Sequence, residues 1–316
     1  MKRRISIVVP AYNEAQGIAH FHKELSRALP KGYDYEIIYV DDGSRDKTLE
    51  ILSTLAKTDQ RINALSFSRN FGKEAATTAG IIESSGDAVI LIDADGQHPV
   101  ELISKFIARW RAGAQVVVGV RSENQKEGLI KRYGSKIFYQ LFNTMTSEKI
   151  IPGSTDFRLI DAEVRIAFIK LTENSRITRA LVDWLGYKKE YIPFIANARE
   201  FGEASYSTKK LLSLAMNSFV SLTTTPLYLS GYLGLIIMPI SLLLGLFIIV
   251  EQYLLNDPMG LNVTGSASLG IFIVFLVGII LACQGLVALY ISRIYEEVKA
   301  RPLYLVNEAT SIRRSK

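Results

Sequence analysis

Short apolar runs alternate with longer amphipathic stretches along the N-terminal part of the chain. Ile5–Pro10, Tyr35–Val40, Ile62–Ser68, Val89–Ile92 and Gln115–Val120 are dominated by apolar, often β-branched residues, the pattern of strands covered on both faces. Helical periodicity fills the intervals. It runs from an Asn13-Glu-Ala-Gln16 cap to about Leu29, and from Ser44 to about Lys57. It continues from Arg69-Asn70-Phe71-Gly72 to about Ser85, and over Pro99–Ala112, with Pro99 suited to a first helical position. This alternation predicts right-handed βαβ units and a doubly wound, Rossmann-like, mostly parallel α/β sheet.

The pattern then changes. Lys126–Phe142 sets Ile130, Tyr133, Ile137, Phe138 and Leu141 at helical spacing, with Lys131, Arg132 and Lys136 off that stripe. Such a basic amphipathic helix suits a membrane surface or, read plainly, a core-facing helix with solvated charges. Ile151–Arg158 reads as a turn-rich segment, and Lys209–Thr225 as a second amphipathic helix. Two uncharged apolar runs follow, about residues 227–250 and 268–292. Each is long enough for a hydrocarbon core of ~30 Å. Pro239 is expected to kink the first. The organisation expected is a domain at 1–205, an interface helix at 206–226, a two-helix transmembrane hairpin within 227–292, and a basic tail at 293–316.

Composition sharpens this division. The 316 residues are 48% hydrophobic, with a mean hydropathy of +0.17, high for a soluble protein and concentrated in the last third. The single cysteine, Cys283, excludes an intrachain disulfide framework. A net charge of +6 raises nucleic acid as a partner. No nucleic-acid motif accompanies it, and many basic residues flank apolar segments, which favours an anionic membrane face. Met1-Lys-Arg-Arg runs directly into the short apolar run at Ile5, with no apolar stretch of about 7–15 residues, so no signal peptide is expected. Glu251–Ala267 lacks Lys and Arg, whereas Lys209, Lys210, Arg293, Lys299 and Arg301 flank the outer ends of the runs. The positive-inside rule therefore puts both flanks, both termini and the N-terminal domain in the cytoplasm, against the inner or plasma membrane.

Chemistry concentrates where the strands end. Asp41/Asp42, Arg69, Asp93/Asp95 and Arg121 each follow an apolar run. In an open parallel sheet that is the edge where ligands bind. Asp93 and Asp95 are hard oxygen donors suited to Mg²⁺ or Mn²⁺ together with substrate phosphates, although Asp-x-Asp also caps helices. The first strand is not followed by Gly-x-Gly-x-x-Gly, and there is no Gly-Lys-Ser/Thr loop. These absences argue against dinucleotide and P-loop folds.

Val9-Pro10-Ala11-Tyr12-Asn13-Glu14, Val40-Asp41-Asp42-Gly43-Ser44 and Asp93-Ala94-Asp95-Gly96-Gln97-His98-Pro99 resemble the signature of inverting family-2 glycosyltransferases of the GT-A fold. Within them, Asp-Ala-Asp-x-Gln-His-Pro resembles the polyprenyl-phosphate branch that holds dolichyl-phosphate mannose synthase. The two C-terminal apolar runs resemble its bactoprenol glucosyltransferase type. The resemblance implies that Pro10, Ala11, Tyr12 and Glu14 border the nucleotide, that Asp42 with Ser44 contacts the base, and that Asp93 meets the ribose or diphosphate. It implies a metal held by Asp95 and Gln97, with Asp93 beside them. Arg121, Arg132 and Ser135 match positions tied to phosphate, and Arg121 suits a bidentate fork. Asp156 matches the acid near the acceptor, commonly taken as the base. A phosphomonoester has its second pKa near ~6 and needs little base help, so Asp156 is expected to orient as much as to remove a proton, with Arg158 a candidate ion-pair partner. Arg199, Gly202 and Ser205 match a loop that closes over the donor, though Ser205-Tyr206 replaces the usual Ser-Lys pair. A Gln-x-x-Arg-Trp motif of processive synthases is absent near Asp183-Trp184, which favours transfer of a single sugar.

The function implied is transfer of one sugar from a nucleotide-sugar donor, UDP-glucose first and GDP-mannose next, to undecaprenyl phosphate. A non-catalytic sugar-nucleotide-binding subunit and a lipid-linked-sugar translocase are the readings from other classes. The translocase would need its two helices to assemble into a homo-oligomer, a state the sequence leaves open.

Overall fold

A computed structural model describes residues 2–122, 151, 153–174, 176–197 and 265–313, with scattered positions between 227 and 250. Two compact units divide it: Met1–Ser205 with Ala300–Lys316, and Tyr206–Lys299.

In the first unit β1 (Arg4–Ala11), α1 (Ile18–Ala28), β2 (Asp34–Asp41), α2 (Thr48–Thr58), β3 (Ile62–Ser66), α3 (Lys73–Glu83), β4 (Ala88–Leu91), α4 (Leu102–Arg111) and β5 (Val116–Arg121) alternate as the periodicity predicts. Then come β6 (Ser154–Asp161), α5 (Ala162–Ile169), α6 (Thr178–Trp184) and β7 (Lys189–Phe194). The seven strands lie in the order β3-β2-β1-β4-β6-β5-β7. Alternate β1 side chains enter opposite layers. Ile5, Ile7 and Val9 pack with Ile18, Leu52 and Phe106 of α1, α2 and α4. Val8 packs with Ile81, Val164 and Val182 of α3, α5 and α6.

Two features position the site. The strand order reverses at β1, which pairs parallel with both β2 and β4, and such a reversal opens a crevice beyond the strand ends. The second feature corrects the sequence reading. Most of Ile151–Arg158 is not a turn but the start of β6, antiparallel to both β4 and β5. A buried strand cannot leave its ladder groups unpaired, and β6 fills the gap between β4 and β5. Local turn residues such as Gly153 and Ser154 hid it.

Smaller corrections concern helix starts. Gly17, not Asn13, precedes α1 without a side-chain cap. Asp46, not Ser44, accepts the Thr48 N–H (3.0 Å) at the start of α2. A turn at Pro99–Glu101 delays α4 to Leu102.

Residues 300–313, expected as a tail, lie along β3. Ala64 and Ile312 exchange both backbone hydrogen bonds (2.9 and 2.7 Å), and Phe67 bridges Val306.

In the second unit one helix, α7 (Gly265–Val298), is among the described residues long and apolar enough to cross a membrane. Most described side chains of its apolar stretch Phe275–Val298 are exposed and none is buried. Described positions of the earlier run, including Tyr232, Ile236 and Leu243, are helical and exposed. A two-helix hairpin is thus not established by the described residues. The amphipathic helices at 126–142 and 209–225 lie outside them, as do Arg132, Ser135, Arg199 and Ser205.

Candidate active site

β4 carries Asp93 and Asp95 just past its carboxyl end, and β6 brings Asp156 to meet them. Leu91 pairs with Arg158, so the antiparallel register, continued two residues outward, sets Asp93 opposite Asp156. Like charges facing each other across strands repel. The first residue of α3 resolves this. Lys73 Nζ lies 2.7 Å from Asp93 Oδ1 and 2.9 Å from Asp156 Oδ2. Burial works against the Lys73 ammonium, but the Asp93 and Asp156 charges outweigh it and raise its pKa. Burial likewise opposes the Asp156 carboxylate, but Lys73 and Arg158 bring its pKa down to about 2.

Sequence reasoning passed over Lys73. Its only signal is its place directly after the glycine that opens α3, a position at the same sheet edge as the acids. Arg158 was a candidate ion-pair partner of Asp156. It is instead buried at 1% exposure, and its guanidinium donates to the Thr155 carbonyl (2.9 Å) and the Arg179 carbonyl (3.3 Å). Its nearby charge still helps hold Asp156 ionised.

Asp93, Asp95 and His98 each present a donor atom within 4.8 Å of one another. His98 is buried, stacked on Phe157 at 5.2 Å. Its Nδ1 has no hydrogen-bond partner and lies 3.8 Å from Asp93 Oδ2. Burial lowers the His98 pKa although Asp93 and Asp95 oppose it, so the ring favours the neutral form that ligates metals. Two hard carboxylates and an unpartnered imidazole nitrogen fit a divalent cation. Gln97, expected as a ligand, contributes backbone contacts: its N–H donates to Asp95 Oδ1 (3.1 Å), and its carbonyl accepts from Asn197 (3.1 Å). Beside Asp95 opens a shallow cleft lined by Glu14, Phe21, His98, Glu101 and Asn197.

The β1 and β2 loops are locked together. Ser44 Oγ accepts the Asn13 N–H (2.9 Å), Asn13 Oδ1 accepts the Arg45 N–H (2.9 Å), and Thr48 Oγ1 accepts the Glu14 N–H (2.8 Å). Ser44 thus holds the loop carrying Tyr12 and Glu14. Tyr12 is 40% exposed, while Ala11 is buried and Pro10 half-buried at the end of β1. Asp42 is only 3% exposed. Its carboxylate oxygens accept the Phe71 N–H (2.7 Å) and the Gly72 N–H (2.9 Å), tying β2 to the loop that leads into Lys73. Neither Asp41 nor Asp42 caps α2. Arg121 ends β5 with an exposed side chain, and its carbonyl would lie 2.6 Å from any Cβ added to Gly153, which sits at φ +79°.

Gly43 makes the Asp42 contact possible. It has φ +65°, and an added Cβ would fall 2.7 Å from the Asn70 amide nitrogen and against Arg69. Gly43→Ala combines left-handed strain with a backbone clash, each worth on the order of 1–3 kcal/mol. We expect a fall of several degrees in the thermal unfolding midpoint, and an unchanged midpoint would show that the loop yields freely.

A mostly parallel sheet with acids gathered at its reversal point, and a lysine bridging Asp93 and Asp156 there, is a GT-A-like arrangement. Residues 6–181 match the family described as Glycosyl transferase family 2, and the chain belongs to that family. It is 40% identical over 98% of its length to an uncharacterized glycosyltransferase of Synechocystis sp., covering 96% of that protein. It is 38% identical to the SfII prophage-derived bactoprenol glucosyl transferase of Shigella flexneri, covering 97% of this chain and 98% of the relative. The fold resembles that of mannosyl-3-phosphoglycerate synthase from Rubrobacter xylanophilus, with a TM-score of 0.52 at 16% identity over 73% of this chain and 75% of that one.

Proposed function

We propose that this glycosyltransferase moves a single glucose from UDP-glucose to a polyprenyl phosphate, undecaprenyl phosphate, at the cytoplasmic membrane face, with inversion at the anomeric carbon. The observation that supports the reading is the Asp93–Lys73–Asp156 bridge, which joins at one point the acid read as facing the donor and the acid read as facing the acceptor. Near-full-length similarity to bactoprenol glucosyl transferases supports the substrates. The exposed apolar helix α7 supports attachment to the membrane, and the first apolar run would complete a hairpin with it.

Asp93 and Asp95, with His98 or Gln97, would hold Mg²⁺ or Mn²⁺, which supplies positive charge to the leaving diphosphate. The chain's own groups do the remainder. Lys73 offers a second cation at the junction of the substrates. Asp156, ionised throughout the neutral range, orients the acceptor side. Tyr12 and Glu14 border the donor, while Asp42 holds the loop behind it. Catalysis is then chiefly positioning and electrostatics.

The test is transfer of labelled sugar to undecaprenyl phosphate by the purified full chain, with UDP-glucose against GDP-mannose, with and without Mn²⁺. A metal-dependent glucosyl lipid is the expected product. Mannosyl transfer alone would replace the donor assignment, and nucleotide binding without transfer to any polyprenyl phosphate would remove the acceptor assignment.

A further inference from the structure

We propose that the C-terminal segment 300–313, and Tyr304 above all, is a positioning element for the donor half of the active site; this rests on the reading of that half given above. The segment follows directly on α7 in sequence and lies along β3 through hydrogen bonds at both ends. Ser68 N–H donates to Leu305 O (3.0 Å) and Asn307 N–H to Ser66 O (2.7 Å). Ser66 N–H donates to Ser311 Oγ (3.0 Å). β3 would otherwise be an edge strand with unpaired backbone groups.

Its side chains reach α3 and the loop before it. Tyr304 stacks on Phe67, with centroids 4.9 Å apart and rings 11° from parallel. Phe67 meets Phe71 edge-on at 5.7 Å and 89°. The Phe71 and Gly72 amides hold Asp42, and the next residue is Lys73. Tyr304 and Val306 also pack on the cluster that contains Ala75, Ala76 and Ala79 of α3. At the far end of that helix, Arg313 Nε lies 3.4 Å from Glu83. One segment therefore braces α3 near both of its ends, and α3 presents the lysine that bridges the two carboxylates. A displacement of even about 1 Å at such a bridge is costly for catalysis, so this brace has a function beyond covering an edge.

The experiment compares full-length Tyr304→Ala and Tyr304→Phe with the unaltered protein. It reads UDP affinity by calorimetry, the KM of each substrate, and hydrogen exchange at the Phe71 and Gly72 amides. Tyr304→Ala is expected to weaken UDP binding and raise donor KM together by roughly three- to tenfold, the size of an aromatic contact. The acceptor KM should rise less than the donor KM, because the Phe71 and Gly72 amides lie on the Asp42 side. Exchange at those amides should accelerate, and Tyr304→Phe should restore the unaltered behaviour. Unchanged UDP affinity with unchanged exchange would overturn the proposal, as would equal losses in both substrates. If Tyr304→Ala does not fold, Val306→Ala, which thins the packing on the same cluster, is expected to accelerate the same amides, and failure to do so counts against the brace. If the unaltered protein binds no UDP, the donor reading fails, while the exchange measurement still decides the brace.

Discussion

Asp95→Ala is expected to lower turnover by at least about 10²–10³-fold, the range seen when a main electrostatic contact to a developing charge is lost. The side chain stands in the group formed with Asp93 and His98, whose donor atoms lie within 4.8 Å of one another. It also accepts the Gln97 N–H at 3.1 Å, which shapes the turn beyond β4. Removing it would take away a proposed metal ligand and loosen that turn. Two measurements separate these effects. Mn²⁺ affinity, read by the spin-resonance signal of free Mn²⁺, should fall sharply, while the thermal unfolding midpoint should move little because the side chain is not in the core. Near-normal Mn²⁺ affinity in Asp95→Ala would end its assignment as a ligand. His98→Ala offers a parallel reading: loss of Mn²⁺ affinity there would identify the imidazole as the third donor.

Asp156→Asn is expected to reduce turnover by about 10²-fold, the cost of misplacing a substrate by roughly 1 Å, and to leave the pH dependence in place. The sign follows from the charges. Burial opposes ionisation of Asp156, but Lys73 and Arg158 override it and bring the carboxyl to about 2. Such a group is already ionised above pH ~4 and is a weak proton acceptor near neutrality. The acid limb of the rate profile should then follow the acceptor phosphate, with its second pKa near ~6, in both the unaltered protein and the variant. A variant whose rate climbs toward normal as pH rises past 8 would return the role of base to Asp156. Stability obeys the same linkage. A depressed folded-state pKa gives stability that is complete above the unfolded carboxylate value of roughly 3.9 and is lost as pH falls through about 2. Thermal unfolding of Asp156→Asn should therefore differ from the unaltered protein at pH 6 and converge with it at strongly acid pH.

Much of this was legible from local pattern. Alternating apolar runs and helical stretches located β1 to β5 and the helices between them to within a few residues, because burial on both faces leaves a continuous apolar signature. Acids placed just after those runs were sure to gather once the strands were parallel, so Asp42, Asp93 and Asp95 could be picked out before any coordinates. The family resemblance added Asp156, which no periodicity marks.

What local pattern could not carry was pairing between distant residues. β6 is rich in polar and turn-forming residues, and its strand character comes from the two neighbours that pair with it. Its antiparallel direction, and hence the meeting of Asp93 with Asp156, is a property of the sheet. Lys73 follows the same logic: nothing in Gly72-Lys73-Glu74 announces a bridge until two carboxylates from separate strands converge on its ammonium. Asp42 also clasps a loop that begins nearly thirty residues later, a role that only the folded chain reveals. The C-terminal segment read as a basic tail because each of its residues is unremarkable alone, and only the open edge of β3 gives them partners. Local pattern carried β1 to β5 with the helices between them, the family resemblance, and the charges gathered at the sheet edge. The tertiary structure decided which of those charges face each other, since that depends on register and strand order and not on the residues nearby in the chain.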